Sequence, residues 1–330
     1  MGPNISKAIS ATRFPIILGP VMIHCQQGFT ETPYRLFWGE MVGRITVPLF
    51  FIISGYLFFQ HFDGTLNAYI EKFRKRIWTL IVPYLLWNLL AFLFYWSVGV
   101  ASAGDFLNSF WVVSYHSGHS PADGPLWYLR TLILLLPLTP MMYIMNEQRW
   151  LSWITLALYL MLFTNIGPFK QGIVIGFACF NLGAFFALQR IENKITLPRH
   201  MYKCLIINVL IVIFLMLSVF DWHLSHNKNI AWSFVHWSLL TDGSIIIMII
   251  PTMLSDTIIK TLSLLGKTSF FLFCLHEPII PYLRHIAAFI GNSDLGYTLT
   301  IIMDVLLCLT VYRIMTKIAP NTLALLIGGR

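Results

Sequence analysis

The amino-acid sequence predicts an all-α protein, a polytopic transmembrane helix bundle of about ten helices with both termini cytoplasmic. Of its 330 residues, 57% are hydrophobic and only 11% are charged, whereas soluble proteins carry about a quarter charged residues. Apolar runs long enough to cross a bilayer recur from one end of the chain to the other. No polar linker separates them, so we expect a single transmembrane domain over residues 1–330.

Each predicted helix corresponds to one apolar run. The runs lie at about 8–26, 41–60, 77–98, 126–145, 150–166, 171–188, 203–220, 232–250, 268–290 and 297–317. The first run contains Arg13, Pro15 and Pro20, and the fifth run is short. Residues 251–266, between the eighth and ninth runs, are expected to form a short interfacial helix.

The charges between the runs predict the orientation in the membrane. Lysines and arginines concentrate in alternate loops, whereas the long connection 99–125 contains none. Because basic loops stay in the cytoplasm, this pattern places both termini inside and the connection 99–125 outside. The net charge of +8 is therefore assigned to membrane topology, and no nucleic-acid partner is expected.

The cysteines indicate neither a disulfide framework nor a metal site. They fall in or beside apolar runs and show no CxxC spacing, so we interpret them as small buried apolar residues. No metal cofactor is expected. The five are Cys25, Cys179, Cys204, Cys274 and Cys308.

Arg13 and His24 are ionisable residues within the first apolar run, where charge is expensive. Their spacing of eleven residues puts both side chains on one helix face, about 16 Å apart along the axis. A cation near the cytoplasmic end and an imidazole further in would suit an anionic cytosolic substrate with a reactive far end. Alternatively, Arg13 contacts lipid headgroups and His24 bonds to a neighbouring helix.

Four cations lie within five residues before the third apolar run: Lys72, Arg74, Lys75 and Arg76. As a functional site they would bind phosphate, because guanidinium groups match phosphate oxygens in pairs. As a topology signal they would hold the loop in the cytoplasm and contact anionic lipids. Both interpretations can hold at once.

Other runs also carry polar groups that chemistry could use. Arg130 follows Trp127 at the outer start of the fourth run, and His276-Glu277 places an imidazole and a carboxylate near the middle of the ninth. In the second run, the Ser54-Gly55 pair can free backbone carbonyls or allow another helix to approach closely.

Several short segments form an ordered set of motifs. Arg13 and His24 give an Arg-x10-His pattern, and the other segments are Val47–Leu57, Arg74–Tyr84, Pro125–Leu129 and Ser269–His276. Together they resemble the acyltransferase-3 family of bacterial integral membrane O-acyltransferases, in family order from residue 13 to about residue 280. The chain departs from the family pattern at Arg130, where some members carry a glutamate. It also has Ser10-Ala-Thr12 where an aspartate often precedes the first motif.

The resemblance implies a short form without a soluble C-terminal domain, located in the bacterial inner membrane. It implies transfer of an acyl group, most often acetyl, from cytosolic acetyl-CoA to a hydroxyl of a cell-envelope glycan or a lipid-linked sugar. His24 would be the general base, or would carry the acyl group transiently, and the donor phosphates would contact Arg13 and the Lys72–Arg76 cations. The candidates for oxyanion or sugar contacts are Ser54, Tyr56, Trp127 and Arg130, and His276 is the alternative base.

A transporter or flippase for envelope lipid or polysaccharide is the main alternative. Such a protein would also use intramembrane His, Arg and Asp residues. A cytosolic phosphate-binding cluster has no obvious task in it, and no inverted repeat is visible in the sequence. A non-enzymatic sensor is the third possibility.

Overall fold

The computed structural model describes residues 3–102, 106, 123–164, 172–190, 203–208, 210–211, 230–289, 291 and 293–329. Regular secondary structure in this part of the chain is helical throughout, without strands, which confirms the predicted all-α class there. The helices are α1 (Pro3–Cys25), α2 (Pro33–Phe59), α3 (Leu66–Ser97), α4 (Gly124–Glu147), α5 (Ser152–Thr164), α6 (Gly172–Leu188), α7 (Ile230–Ile249), α8 (Asp256–Gly266), α9 (Ser269–Ala288), α10 (Asp294–Ile318) and α11 (Pro320–Leu326).

The described helices make this a multi-pass membrane protein. Five of them (α1, α2, α3, α4 and α10) are long and apolar enough to cross a bilayer. The pair α8 and α9, taken together, would be a sixth span. The predicted seventh run, 203–220, lies largely outside the described residues. The count of about ten helices and the cytoplasmic termini stay predictions.

Two helices begin well before their apolar runs. α2 begins at Pro33 and not near 41, and α3 begins at Leu66 and not near 77. The first turns of α3, Leu66–Arg76, carry apolar residues on one side and Lys72, Arg74, Lys75 and Arg76 among their polar residues. A hydropathy pattern finds only continuous apolar stretches, so it misses such amphipathic extensions. The expected interfacial helix is present as α8, and its position at the membrane surface stays a prediction.

The chain divides into two compact units. The first unit comprises Met1–Ile23, Glu31–Thr65 and Pro137–Gly266, and the second comprises His24–Thr30, Leu66–Leu136 and Lys267–Arg330. The single domain over residues 1–330 stays a prediction. His24, the last-turn histidine of α1, falls in the second unit.

In the first unit, α2 and α6 pack with their backbones in contact. A methyl group added at Gly55 would lie 2.0 Å from the Phe180 carbonyl oxygen, and one at Gly183 would lie 2.1 Å from the Ile52 carbonyl oxygen. Neither position can hold a larger residue unless a backbone moves, which is how small residues bring membrane helices together. The structure thus gives Gly55 a packing role.

The first unit also contains a closed polar network, the amide triangle formed by Asn146, Thr155 and Asn181. Asn146 Nδ2 donates to Asn181 Oδ1 at 2.7 Å, Asn181 Nδ2 donates to Thr155 Oγ1 at 2.9 Å, and Thr155 Oγ1 donates to Asn146 Oδ1 at 2.9 Å. All three residues are buried. The triangle joins α4, α5 and α6 by bonds that lipid cannot replace.

In the second unit, the indole of Trp87 on α3 connects several helices. Its Nε1 donates to the Leu326 carbonyl of α11 at 3.0 Å, and its ring meets the Phe271 ring of α9 edge to face. Arg284 of α9 donates to the Gln27 carbonyl, three residues after His24. This bond ties α9 to the end of α1.

Candidate active site

His24 and Glu277 form the centre of the candidate site in the second unit. His24 lies in the last turn of α1, and its Nδ1 is 3.5 Å from Oε1 of Glu277 on α9. Their side chains keep 18% and 24% of their surface exposed, whereas His24 Nδ1 and Glu277 Oε2 are buried. A carboxylate at Nδ1 fixes the orientation of an imidazole and leaves its Nε2 to face a substrate.

His276 adds a second imidazole at this point. Its ring lies edge to face against the His24 ring, with the centroids 5.3 Å apart, and it is fully buried. Its Nδ1 lies 2.8 Å from the Phe273 carbonyl oxygen and 3.2 Å from that of Leu272. These two acceptors assign the proton to Nδ1 and leave an acceptor lone pair on Nε2. That Nε2 is buried without a hydrogen-bond partner among the described residues.

Asp123 and Gly124, at the start of α4, pack against Glu277. A methyl group at Gly124 would lie 2.5 Å from Oε2 of Glu277, so the absence of a side chain at residue 124 makes room for this carboxylate. The Gly124 N–H donates to the same carboxylate. Asp123, immediately before α4, is completely buried and faces Glu277. Burial, and then the charge of Glu277, raises the pKa of Asp123 well above its usual range.

The basic residues of α3 lie in the same unit as His24. Arg74 and Lys75 are exposed, whereas Lys72 and Arg76 are half-buried. Arg76 interacts electrostatically with Tyr128 of α4. The Tyr128 ring meets the Phe273 ring at 5.8 Å, and Phe273 lies 6.2 Å from the His276 ring. Aromatic contacts therefore connect Tyr128, through Phe273, to the His276 ring.

The remaining predicted site residues divide between the two units. Trp127 and Arg130 are half-buried in the second unit, and Arg130 interacts electrostatically with Tyr84. Arg13, Ser54 and Tyr56 belong to the first unit. Tyr56 lies in an apolar cluster whose buried members also include Ile9, Ile16, Leu49 and Ile53. The roles predicted for these residues stay predictions.

The family model described as an acyltransferase domain, that of acyltransferase-3, matches residues 7–314. The chain belongs to the acyltransferase-3 family. It is also 24% identical to the succinoglycan biosynthesis protein ExoH of Rhizobium meliloti, in an alignment that covers 100% of this chain and 94% of the relative. No solved structure matches the chain.

The sequence pattern predicts roles for His24 and His276 but none for Glu277 and Asp123. Glu277 could have been recognised from the sequence, because a carboxylate inside an apolar run is rare. Asp123 could not, because it lies near the end of a long connection in which an aspartate is ordinary. Across the described residues, no three His, Cys, Asp or Glu side chains are grouped to hold a metal ion.

Proposed function

We propose that this protein is a membrane O-acyltransferase that moves an acyl group, in the simplest case acetyl, from cytosolic acyl-CoA to a hydroxyl of a cell-envelope carbohydrate. The observation that carries the proposal is the contact between His24 and Glu277 beside the buried His276. Family membership supports acyl transfer over the transporter alternative. The name of the relative, a succinoglycan biosynthesis protein, supports a polysaccharide or its lipid-linked precursor as the acceptor.

The chemistry follows from the His24–Glu277 pair. His24 Nε2 accepts the proton of the sugar hydroxyl while the hydroxyl oxygen attacks the thioester carbonyl. The carbon–sulfur bond then breaks, and the proton passes from His24 to the departing CoA sulfur. Glu277 holds the Nδ1–H and stabilises the imidazolium between these steps. A positioned base of this kind contributes about 10²–10⁴-fold to a rate. In the alternative route the acyl group first bonds to His24.

The donor would bind through its phosphates to Lys72, Arg74, Lys75 and Arg76. The position of these cations in the same unit as His24 supports this assignment. We expect Arg74→Gln combined with Arg76→Gln to raise the donor KM, because each lost charge-assisted contact removes about 1.5–3 kcal/mol of binding. Lys317→Gln, which neutralises a cation at the end of α10, is the matched control and should leave that KM unchanged. An unchanged donor KM in the double variant would contradict the donor site.

Purified protein in proteoliposomes tests the function as a whole. Radiolabelled acetyl-CoA is supplied outside, with envelope glycan or lipid-linked sugar as acceptor, and both free CoA thiol and labelled glycan are measured. We expect the two products to appear together in equal amounts, and neither to appear with His24→Gln. Movement of glycan across the membrane without release of thiol would favour a transporter and contradict the proposal.

A further inference from the structure

Asp123 and Glu277 place two carboxyl groups side by side next to His24. Asp123 is completely buried, and neither of its carboxyl oxygens has a hydrogen-bond donor among the described residues. Among the described residues, the Glu277 carboxyl is the acidic group that it faces, and a methyl group at the adjacent Gly124 would lie 2.5 Å from Oε2 of that carboxyl. Two ionised carboxylates can only accept hydrogen bonds, and their charges repel strongly where water is excluded. Such a contact is stable when the pair holds one proton.

The surroundings decide which carboxyl carries that proton. Burial opposes a charge on Glu277, whereas His24, whose Nδ1 lies 3.5 Å from Oε1, and the Gly124 N–H both favour the ionised form. Asp123 has no exposed surface, and its other titratable neighbour in the described part of the chain is the hydroxyl of Tyr95 on α3. The negative charge therefore belongs on Glu277 and the proton on Asp123.

We propose that Asp123 is a positioning residue: a neutral carboxylic acid that donates its proton in a hydrogen bond to Glu277 and holds that carboxylate toward His24. A single negative charge then faces His24, in a fixed orientation. Asp123 acts through Glu277 and does not touch the substrate. The kinetic test of this inference rests on the proposed function, whereas its spectroscopic test does not.

Infrared spectroscopy tests the protonation state without any substrate. The difference spectrum between wild-type protein and Asp123→Asn at neutral pH should show the loss of one protonated carboxyl C=O band. A loss of carboxylate absorption instead would overturn the proposal. This outcome is independent of whether the protein transfers acyl groups.

Kinetics test the positioning role. Asp123→Asn keeps a neutral hydrogen-bond donor, so we expect most of the turnover per folded molecule to remain. Asp123→Ala removes the donor and should lose about tenfold, the equivalent of one hydrogen bond to a charged group. The matched control is Asp304→Asn. Asp304 is also fully buried in this unit, where its carboxyl contacts Cys308, and the variant should keep wild-type turnover.

The pH profile separates a neutral Asp123 from an ionised one. Among the described residues, the titratable groups that face it are Glu277 and Tyr95, and His24 and His276 lie beside Glu277. If Asp123 is neutral, Asp123→Asn leaves the acidic limb of the profile in place. If Asp123 is ionised, the variant removes a negative charge that favours protonated His24, and the acidic limb moves to lower pH.

The remaining outcomes are also informative. Equal loss of turnover in Asp123→Asn and Asp123→Ala would overturn the hydrogen-bond role while leaving the proposed function intact. Full turnover per folded molecule in Asp123→Ala would show that Asp123 is structural only. A wild-type protein without acyl transfer would contradict the proposed function, and the infrared result alone would then decide the inference.

Discussion

The two buried polar clusters of this protein differ in how their hydrogen bonds are completed. The amide triangle of Asn146, Thr155 and Asn181 in the first unit is closed, with three bonds of 2.7–2.9 Å. The His24 cluster in the second unit, formed by His24, His276, Glu277 and Asp123, is open. Within it, His276 Nε2 is buried without a hydrogen-bond partner in the described part of the chain, and the contacts of Glu277 with His24 and Asp123 become hydrogen bonds only when a proton lies between the two groups.

This difference separates a structural role from a chemical one. In a closed network inside a membrane protein, the hydrogen bonds compensate the free-energy cost of removing polar groups from water. They also specify how the helices pack. An open cluster leaves part of that free energy unrecovered, so it persists where substrate or protons complete it. We therefore expect changes in the His24 cluster to reduce turnover and changes in the amide triangle to reduce stability.

The largest effect on turnover is expected from His24→Gln. Glutamine keeps some hydrogen bonding but has no usable basicity, so acyl transfer per folded molecule should fall at least about 100-fold. The measurement is labelled product per protein that elutes as a folded peak in detergent. A structural histidine would give the opposite result, with glutamine partly restoring function. Near wild-type turnover would remove His24 from the chemistry and make His276 the candidate base.

A smaller loss is expected from Glu277→Gln. The amide keeps the volume but removes the charge that stabilises the His24 imidazolium, which is equivalent to about 1.5–3 kcal/mol of transition-state stabilisation. Turnover should therefore fall about 10- to 150-fold while the donor KM stays near wild type. A change confined to KM would show that Glu277 binds substrate and does not support the base.

Gly124→Ala and Gly55→Ala form a matched pair across the two units. The new methyl at 124 would lie 2.5 Å from a Glu277 oxygen, so the carboxylate must turn away from His24, and we expect about a tenfold loss of turnover. The methyl at 55 would lie 2.0 Å from a backbone oxygen, which cannot turn away, so folded protein should be lost instead. The comparison fails if both variants lose only stability.

Thr155→Val should leave turnover unchanged. The substitution keeps the side-chain shape but deprives Asn181 of an acceptor and Asn146 of a donor. We expect a fall of about 1–3 kcal/mol in the free energy of unfolding, measured by denaturant titration in detergent. A loss of turnover per folded molecule would mean that the amide triangle takes part in the reaction.

The sequence predicted the parts of the site that leave a local signal. His24 and His276 stand out because imidazoles are rare in apolar runs, and the family motifs connect them. Asp123 could not be found, because its role depends on packing against a residue more than 150 positions away in the chain. Tyr56 is a motif residue whose predicted role stays a prediction, and the structure places it in an apolar cluster of the first unit.

All five cysteines are buried, and none forms a disulfide bond. We therefore expect membrane-impermeant thiol reagents to label the wild-type chain very little. Labelling of a single introduced cysteine would then show on which side of the membrane that residue lies. Asn67, at the start of α3, and Ser102, five residues after its end, are both exposed. We expect Asn67→Cys to be labelled only from the cytoplasmic side and Ser102→Cys only from outside. Labelling of both from one side would contradict the predicted orientation.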